Sequence, residues 1–220
     1  MRFSVITHYS RIKGVTGMSF FQNTCKPKGI GGRIMVAVMN VGHSSMAKWG
    51  FKHIDIADNG ICLDIGCGGG SNVRRLLKKC PCGKVTGIDY SEVSVEKSRE
   101  VNKAEILNKR CNILQGNVME LPFEDETFDV VTAFETIYFW SDITEAFRQV
   151  YRVLKKEGIF MICNESGGKN PKDEKWIDII QGMRIYSPEQ IRESLESVGF
   201  ENTEIDIDKK GWICAVCKKV

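Results

Sequence analysis

Asp64-Ile65-Gly66-Cys67-Gly68-Gly69-Gly70-Ser71-Asn72 sets an acid and a run of glycines at the end of an apolar stretch. Glycines let a backbone approach a ligand closely, and the N–H groups of a helix starting there can face it. Loops of this kind hold two unlike groups. One is the anionic pyrophosphate of a dinucleotide; the other is the methionine tail of S-adenosylmethionine, which carries an ammonium and a sulfonium. The charges separate them. Asp64 precedes Gly66 at the strand's end, where a carboxylate repels a pyrophosphate and attracts an ammonium, and Ser71 stands where the dinucleotide fingerprint has its third glycine. Asp89 ends the next apolar run and can accept hydrogen bonds from ribose hydroxyls, a role common to both cofactors. Gly116-Asn117-Val118 follows the third run and can meet an adenine edge. Proton-transfer candidates are His8, His43, His53 and Glu135. His43 lies in the N-terminal segment near the expected site, and equally fits a helix cap or a surface histidine.

Positioning these groups takes a regular scaffold. ICLDI (61–65), KVTGID (84–89), CNILQG (111–116), FDVVTAF (128–134) and IFMIC (159–163) read as strands. Between them SNVRRLLKKC (71–80) reads as helix, as does a segment capped by Ser91 and running to about Asn108. A third helix over 142–156 carries Ile143, Ala146, Phe147, Val150 and Leu154 on one face, closed by Lys155, Lys156 and Gly158. This alternation predicts a doubly wound α/β sheet, mostly parallel, with helices on both faces. Ser187-Pro188-Glu189-Gln190 is a capping box, and Gly199 stops the helix it starts. Two strand-like stretches follow, 201–207 and 211–217, joined so tightly that they must be antiparallel. The whole chain, 1–220, reads as one domain: a dispensable extension (1–17), a helical leader (18–60) and an α/β core (61–220) with an insertion at 166–186.

Composition excludes several classes. The net charge is +3, from 31 basic and 28 acidic residues, with no basic block to mark a nucleic-acid face. No apolar run approaches the roughly 20 residues of a membrane span, and the N-terminus lacks a signal-peptide pattern. Nine cysteines, several inside strands, suit a reducing cytoplasm. Cys214 and Cys217 fall on opposite faces of an extended segment, and the cysteine pairs lack the usual turn context of a metal motif, so no metal site is expected.

Taken together these motifs resemble the class I S-adenosylmethionine-dependent methyltransferases. Asp64 through Gly70 matches that family's acid-x-Gly-x-Gly-x-Gly loop. GIDYS (87–91), LPFEDETFDVV (121–131) and VYRVLKKEGIF (150–160) are similar to its small-molecule branch, which includes quinone-biosynthesis C-methyltransferases. The leader, 20–50, resembles that of bacterial and archaeal members. The resemblance implies a seven-stranded sheet with the last strand antiparallel, and S-adenosylmethionine as cofactor. It places Gly66, Cys67, Gly68 and Gly70 against the methionine and ribose, and Asp64 toward the ammonium. Asp89 would hold the ribose hydroxyls, Tyr90 would flank the adenine, and Asn117 with Val118 would meet its edge. Asn117 departs from the Asp common in the family. Glu135 would border the transferring methyl. No Asn-Pro-Pro-Tyr motif follows the fourth strand, unlike the amino-methylating adenine enzymes.

The expected reaction is in-line displacement of a methyl group onto a small-molecule acceptor, with Glu135 or His43 as the candidate base. Ligands of open α/β sheets bind beyond the strands' carboxyl ends. Met39, His43, Met46 and Trp49 of the leader, Trp176, Met183 and Tyr186 of the insertion, and Tyr138 and Trp140 after the fourth strand could wall that space. An RNA- or protein-directed methyltransferase and a non-catalytic S-adenosylmethionine-binding module remain as alternatives, with a nicotinamide oxidoreductase behind them. Neither nucleic acid nor membrane is expected as a partner.

Overall fold

The computed structural model of the chain describes residues 43–168, 173, 177–178, 180 and 182–220. Met39, Trp176, the extension 1–17 and the leader up to residue 42 lie outside them. The described chain opens with helix α1 (Ser44–Gly50). It then alternates β1 (Ile61–Ile65), α2 (Ser71–Lys79), β2 (Lys84–Asp89), α3 (Glu92–Val101), α4 (Lys103–Leu107) and β3 (Cys111–Gln115). β4 (Phe128–Phe134), a 3-10 turn (Ile137–Phe139), α5 (Ile143–Val153) and β5 (Leu154–Asn164) follow. The chain closes with α6 (Pro188–Val198), β6 (Phe200–Ile207) and β7 (Ile213–Lys219).

The strands form one seven-stranded sheet in the order β3-β2-β1-β4-β5-β7-β6. β1 through β5 pair in parallel, and β7 runs antiparallel to both β5 and β6. The order reverses between β1 and β4, which leaves a crevice at their carboxyl ends.

The two-residue period of the strands divides the core. Leu63, Val131, Phe160 and Ile162 pack on one face with α5 and α6; Cys62, Val130, Phe134 and Met161 pack on the other with α1, α2 and α3. Cys214 and Cys217 fall on opposite faces, as their spacing requires. The capping box of Ser187 and Gln190 forms, and Gly199 takes the left-handed C-cap.

Two helices differ from the sequence expectation, each for a tertiary reason. The segment read as helix to residue 156 turns extended at Leu154, which pairs with Phe128. Lys155 is then held by Asp129 at 2.8 Å, and Gly158 sits in a bulged strand where a Cβ would come 2.7 Å from the Lys155 carbonyl. The segment read as one helix to Asn108 breaks at Asn102. The buried amide of Asn102 donates to the carbonyls of Gly70 at 3.1 Å and Ser98 at 2.9 Å, clamping the end of the glycine loop.

Candidate active site

The crevice is a cavity of about 470 Å³ at the carboxyl ends of the strands. The glycine loop leaves β1 and crosses β2: the N–H groups of Gly66 and Cys67 both donate to the Ile88 carbonyl, at 2.8 and 3.1 Å. Gly66, Gly68 and Gly70 all have positive φ, at 69°, 50° and 79°. Their surroundings differ. A Cβ on Gly66 would lie 2.2 Å from Thr136 Oγ1, and one on Gly70 2.5 Å from Asn102 Nδ2 and Ser98 Oγ. A Cβ on Gly68 would meet nothing closer than the Gly66 carbonyl at 4.0 Å. Gly66 and Gly70 therefore serve packing, while Gly68 presents open backbone to the cavity.

Asp89 faces the same space. Its Oδ2 accepts the Gly68 N–H and its Oδ1 the Ser91 N–H, each at 2.8 Å. Burial raises its pKa, and those N–H groups oppose the rise. Tyr90, Asn117 and Val118 continue the wall. Asn117 Oδ1 accepts the Met119 N–H at 3.1 Å, so its side chain is oriented by its own turn. Asp64 lies outside the lining, fully buried beneath the loop. Its Oδ1 accepts the Thr132 hydroxyl at 2.7 Å, and burial first, then the charge of Asp89, pushes it up to about 7.

Arg75, on α2, lines the cavity. Its guanidinium donates to Asn72 Oδ1 at 2.9 Å and to Ser44 Oγ at 2.7 Å, both neutral oxygens. Asp64 is within electrostatic reach but forms no ion pair with it.

At the other end stands Glu135, directly after β4, with a left-handed φ of 57°. Its Oε1 accepts the Tyr138 hydroxyl at 3.2 Å and the Glu165 N–H. Tyr138 Oη in turn accepts the Ser166 N–H at 2.9 Å. Glu135 Oε2 faces His43 Nε2 at 3.9 Å. Burial pushes His43 down to about 4, so it is neutral at pH 7 and the contact is no ion pair. Burial, then the charge of Glu165, raises Glu135 well above the usual carboxylate range; burial pushes Glu165 up to about 7.

Of the remaining expected wall residues, Trp140 lines the cavity and donates its indole N–H to Thr136 at 3.3 Å. Trp49 packs instead against His53 and Trp212, with ring centroids 4.7 and 6.2 Å away. Tyr186 packs against the core with its hydroxyl buried and, among the described residues, without a hydrogen-bond partner.

Residues 63–162 match the methyltransferase domain family. Over this span, somewhat under half of its length, the chain is similar to methyltransferase domains. Among sequence relatives, cycloartenol-C-24-methyltransferase 1 of Oryza sativa subsp. japonica is 31% identical over 150 residues, covering 63% of this chain and 43% of the relative. Demethylmenaquinone methyltransferase of Lactobacillus johnsonii is 30% identical over 122 residues, covering 55% of this chain and 50% of the relative. The chain thus spans half or less of the length of these relatives. An S-adenosylmethionine-dependent methyltransferase from Aquifex aeolicus has the same fold, with a TM-score of 0.71, 19% identity and coverage of 86% of this chain and 98% of that one. So does geranyl diphosphate C-methyltransferase from Streptomyces coelicolor A3(2), at a TM-score of 0.69 and 13% identity, covering 81% and 77%.

Three residues at or beside this cavity escape a reading of the sequence. Arg75 shares a helical face with Ser71 and Asn72, a spacing that is visible but looks like ordinary surface charge. Thr136 is found only through the close approach of Gly66. Glu165 follows a strand and reads as a solvated loop acid until β4 and β5 pair.

Proposed function

We propose that the chain transfers a methyl group from S-adenosylmethionine to a small-molecule acceptor. The observation that carries this is the pairing of an open glycine with a buried acid at one cavity wall, Gly68 with Asp89. The residues fit the cofactor. Asp89 keeps acceptor capacity for a ribose hydroxyl beyond the Gly68 and Ser91 N–H groups and the Ser94 hydroxyl that it accepts. Tyr90 and Val118 offer apolar surface to an adenine, and the Asn117 amide offers its N–H₂ to the base edge. Arg75, bonded among the described residues to neutral oxygens, suits the methionine carboxylate. Asp64 lies beneath the loop without contact, and favours an ammonium in its ionised form, above about pH 7.

When bound, S-adenosylmethionine supplies an electrophilic methyl group on its sulfonium. In-line displacement then asks the chain mainly for position and exclusion of water. Phe134, Phe139 and Trp140 give the far wall an apolar character. Glu135 and His43 are the polar groups that reach an acceptor there, and Tyr138 positions Glu135. The relatives' names, which speak of cycloartenol, demethylmenaquinone and glycine, sarcosine or dimethylglycine, support a small-molecule acceptor.

Calorimetric titration with S-adenosylhomocysteine and with NAD tests the cofactor assignment. The expected result is one S-adenosylhomocysteine bound per chain and no saturable NAD binding. The reverse order of affinity refutes it.

A further inference from the structure

We propose that His43 Nε2, Glu135 Oε2 and a carboxylate oxygen of Glu165 bind a divalent metal ion at the acceptor end of the cavity. One ligand atom from each residue lies within 4.8 Å of the others. The three come from separate parts of the scaffold: the residue before α1, the turn after β4 and the residue after β5. Strand pairing and helix packing hold them in place.

The local hydrogen bonds leave this spot unfilled. Glu135 Oε1 is occupied by the Tyr138 hydroxyl and the Glu165 N–H, which fixes the carboxylate with Oε2 toward His43. The 3.9 Å from Oε2 to His43 Nε2 is too long for a hydrogen bond. It is within reach of two ligands sharing one small ion after a slight side-chain shift, with metal–ligand distances of about 2.0–2.2 Å. Among the described residues the His43 side chain makes no hydrogen bond, and no Lys or Arg lies within ion-pair distance of Glu135 or Glu165, Lys210 acting on Glu165 only from farther off. Two adjacent, largely buried carboxylates repel each other unless a proton or a cation sits between them. A divalent cation answers both carboxylates and gives the imidazole a partner.

The ligand set names the class of ion. One imidazole with two carboxylates suits a first-row divalent ion such as Mn²⁺, Fe²⁺ or Zn²⁺. Three protein ligands leave coordination positions open, and His43 and Glu135 both line the cavity, so those positions face it. The Tyr138 hydroxyl on Glu135 supplies the outer hydrogen bond that orients a metal-bound carboxylate. If the methyltransferase reading holds, the acceptor is a small molecule whose oxygen completes the ion's shell; the ion site itself does not depend on that reading. Nothing in the spacing of residues 43, 135 and 165 announces the set, which only the fold assembles.

The test uses the full chain with Mn²⁺ as the probe, because the nine cysteines would also take up Zn²⁺. Calorimetry and Mn²⁺ electron paramagnetic resonance are run on wild type, Glu165→Gln and His43→Gln, with circular dichroism to check folding. One Mn²⁺ per chain is expected, bound at least tenfold more weakly by each variant. No saturable Mn²⁺ binding, or unchanged affinity in both variants, overturns the proposal. Should Glu165→Gln fail to fold, His43→Gln decides alone, because its side chain packs at the start of a short helix. S-adenosylhomocysteine is titrated into the same wild-type sample. Loss of that binding with Mn²⁺ binding intact counts against the methyltransferase reading, and the converse counts against the metal site.

Discussion

Asp89 Oδ2 accepts the backbone N–H of Gly68 at 2.8 Å, tying the acid at the end of β2 to the loop that leaves β1. The carboxylate therefore has two tasks, holding the loop and facing the cavity. Asp89→Ala strands the Gly68 and Ser91 N–H groups and removes the carboxylate proposed to hold the ribose. We expect S-adenosylhomocysteine binding to weaken by about 1–3 kcal/mol. Asp89→Asn, which still accepts one N–H, should lose less. Equal affinity in wild type and Asp89→Ala, measured by calorimetry, would remove the ribose assignment.

Two glycines of one loop should fail in different ways. Gly68 and Gly70 both have positive φ, so alanine strains each backbone by about 1–2 kcal/mol. At Gly70 the new methyl also meets Ser98 Cα at 2.9 Å, which adds about 1–3 kcal/mol of overpacking. At Gly68 the methyl enters the cavity. Gly70→Ala should therefore lower the melting temperature more, and Gly68→Ala should cut S-adenosylhomocysteine affinity more relative to its loss of stability. The opposite ranking in thermal melts and titrations would contradict the division of labour.

Arg75 offers a charge test. Arg75→Ala should weaken S-adenosylhomocysteine binding by about 1.5–3 kcal/mol, the range for a hydrogen bond to a charged group. Methylthioadenosine, which lacks the amino-acid end, should bind wild type and Arg75→Ala alike. If both ligands lost affinity equally, Arg75 would be acting through loop structure.

Asp64 predicts a pH dependence. Burial pushes its carboxyl up to about 7 in the fold, above the ordinary carboxylate value of roughly 3.9 in the unfolded chain. Between those values the folded state holds a proton that the unfolded state has released. The stability contributed by this group is full below the lower value and is lost as pH rises through the upper one. Asp64→Asn keeps an oxygen for the Thr132 hydroxyl and does not titrate. Relative to wild type, Asp64→Asn should gain stability as pH rises from about 4 to 7. Parallel melting curves across that range would show that Asp64 ionises freely.

The fold was legible wherever local pattern and tertiary pairing agree. β1, β2 and β4 fall on the residues their apolar runs mark. Reading failed where a side chain serves a distant element. Lys155, Lys156 and Gly158 look like the end of a helix, yet the pairing of Leu154 with Phe128 draws them into a strand. Asn102 sits mid-helix in pattern, yet its amide is taken by Gly70 across the loop. Within the site, the glycines and Asp89 announce themselves by spacing. Arg75 and Glu165 do not, because a single charged residue on a helix or after a strand reads as solvated surface until the fold packs around it. Trp49 shows the reverse: an aromatic in the leader suits a chamber wall, but Trp212, just ahead of β7, takes it as a packing partner.

Transfer of labelled methyl from S-adenosylmethionine into a metabolite extract tests the central claim most directly. The purified full chain is incubated with the extract, with and without added Mn²⁺, and Asp89→Ala is run in parallel. Label is expected in the low-mass fraction, dependent on the wild-type protein and falling sharply with Asp89→Ala. Two results would contradict it: label confined to RNA or protein, or equal low-mass label from wild type and Asp89→Ala in extracts rich in small apolar oxygen-bearing compounds.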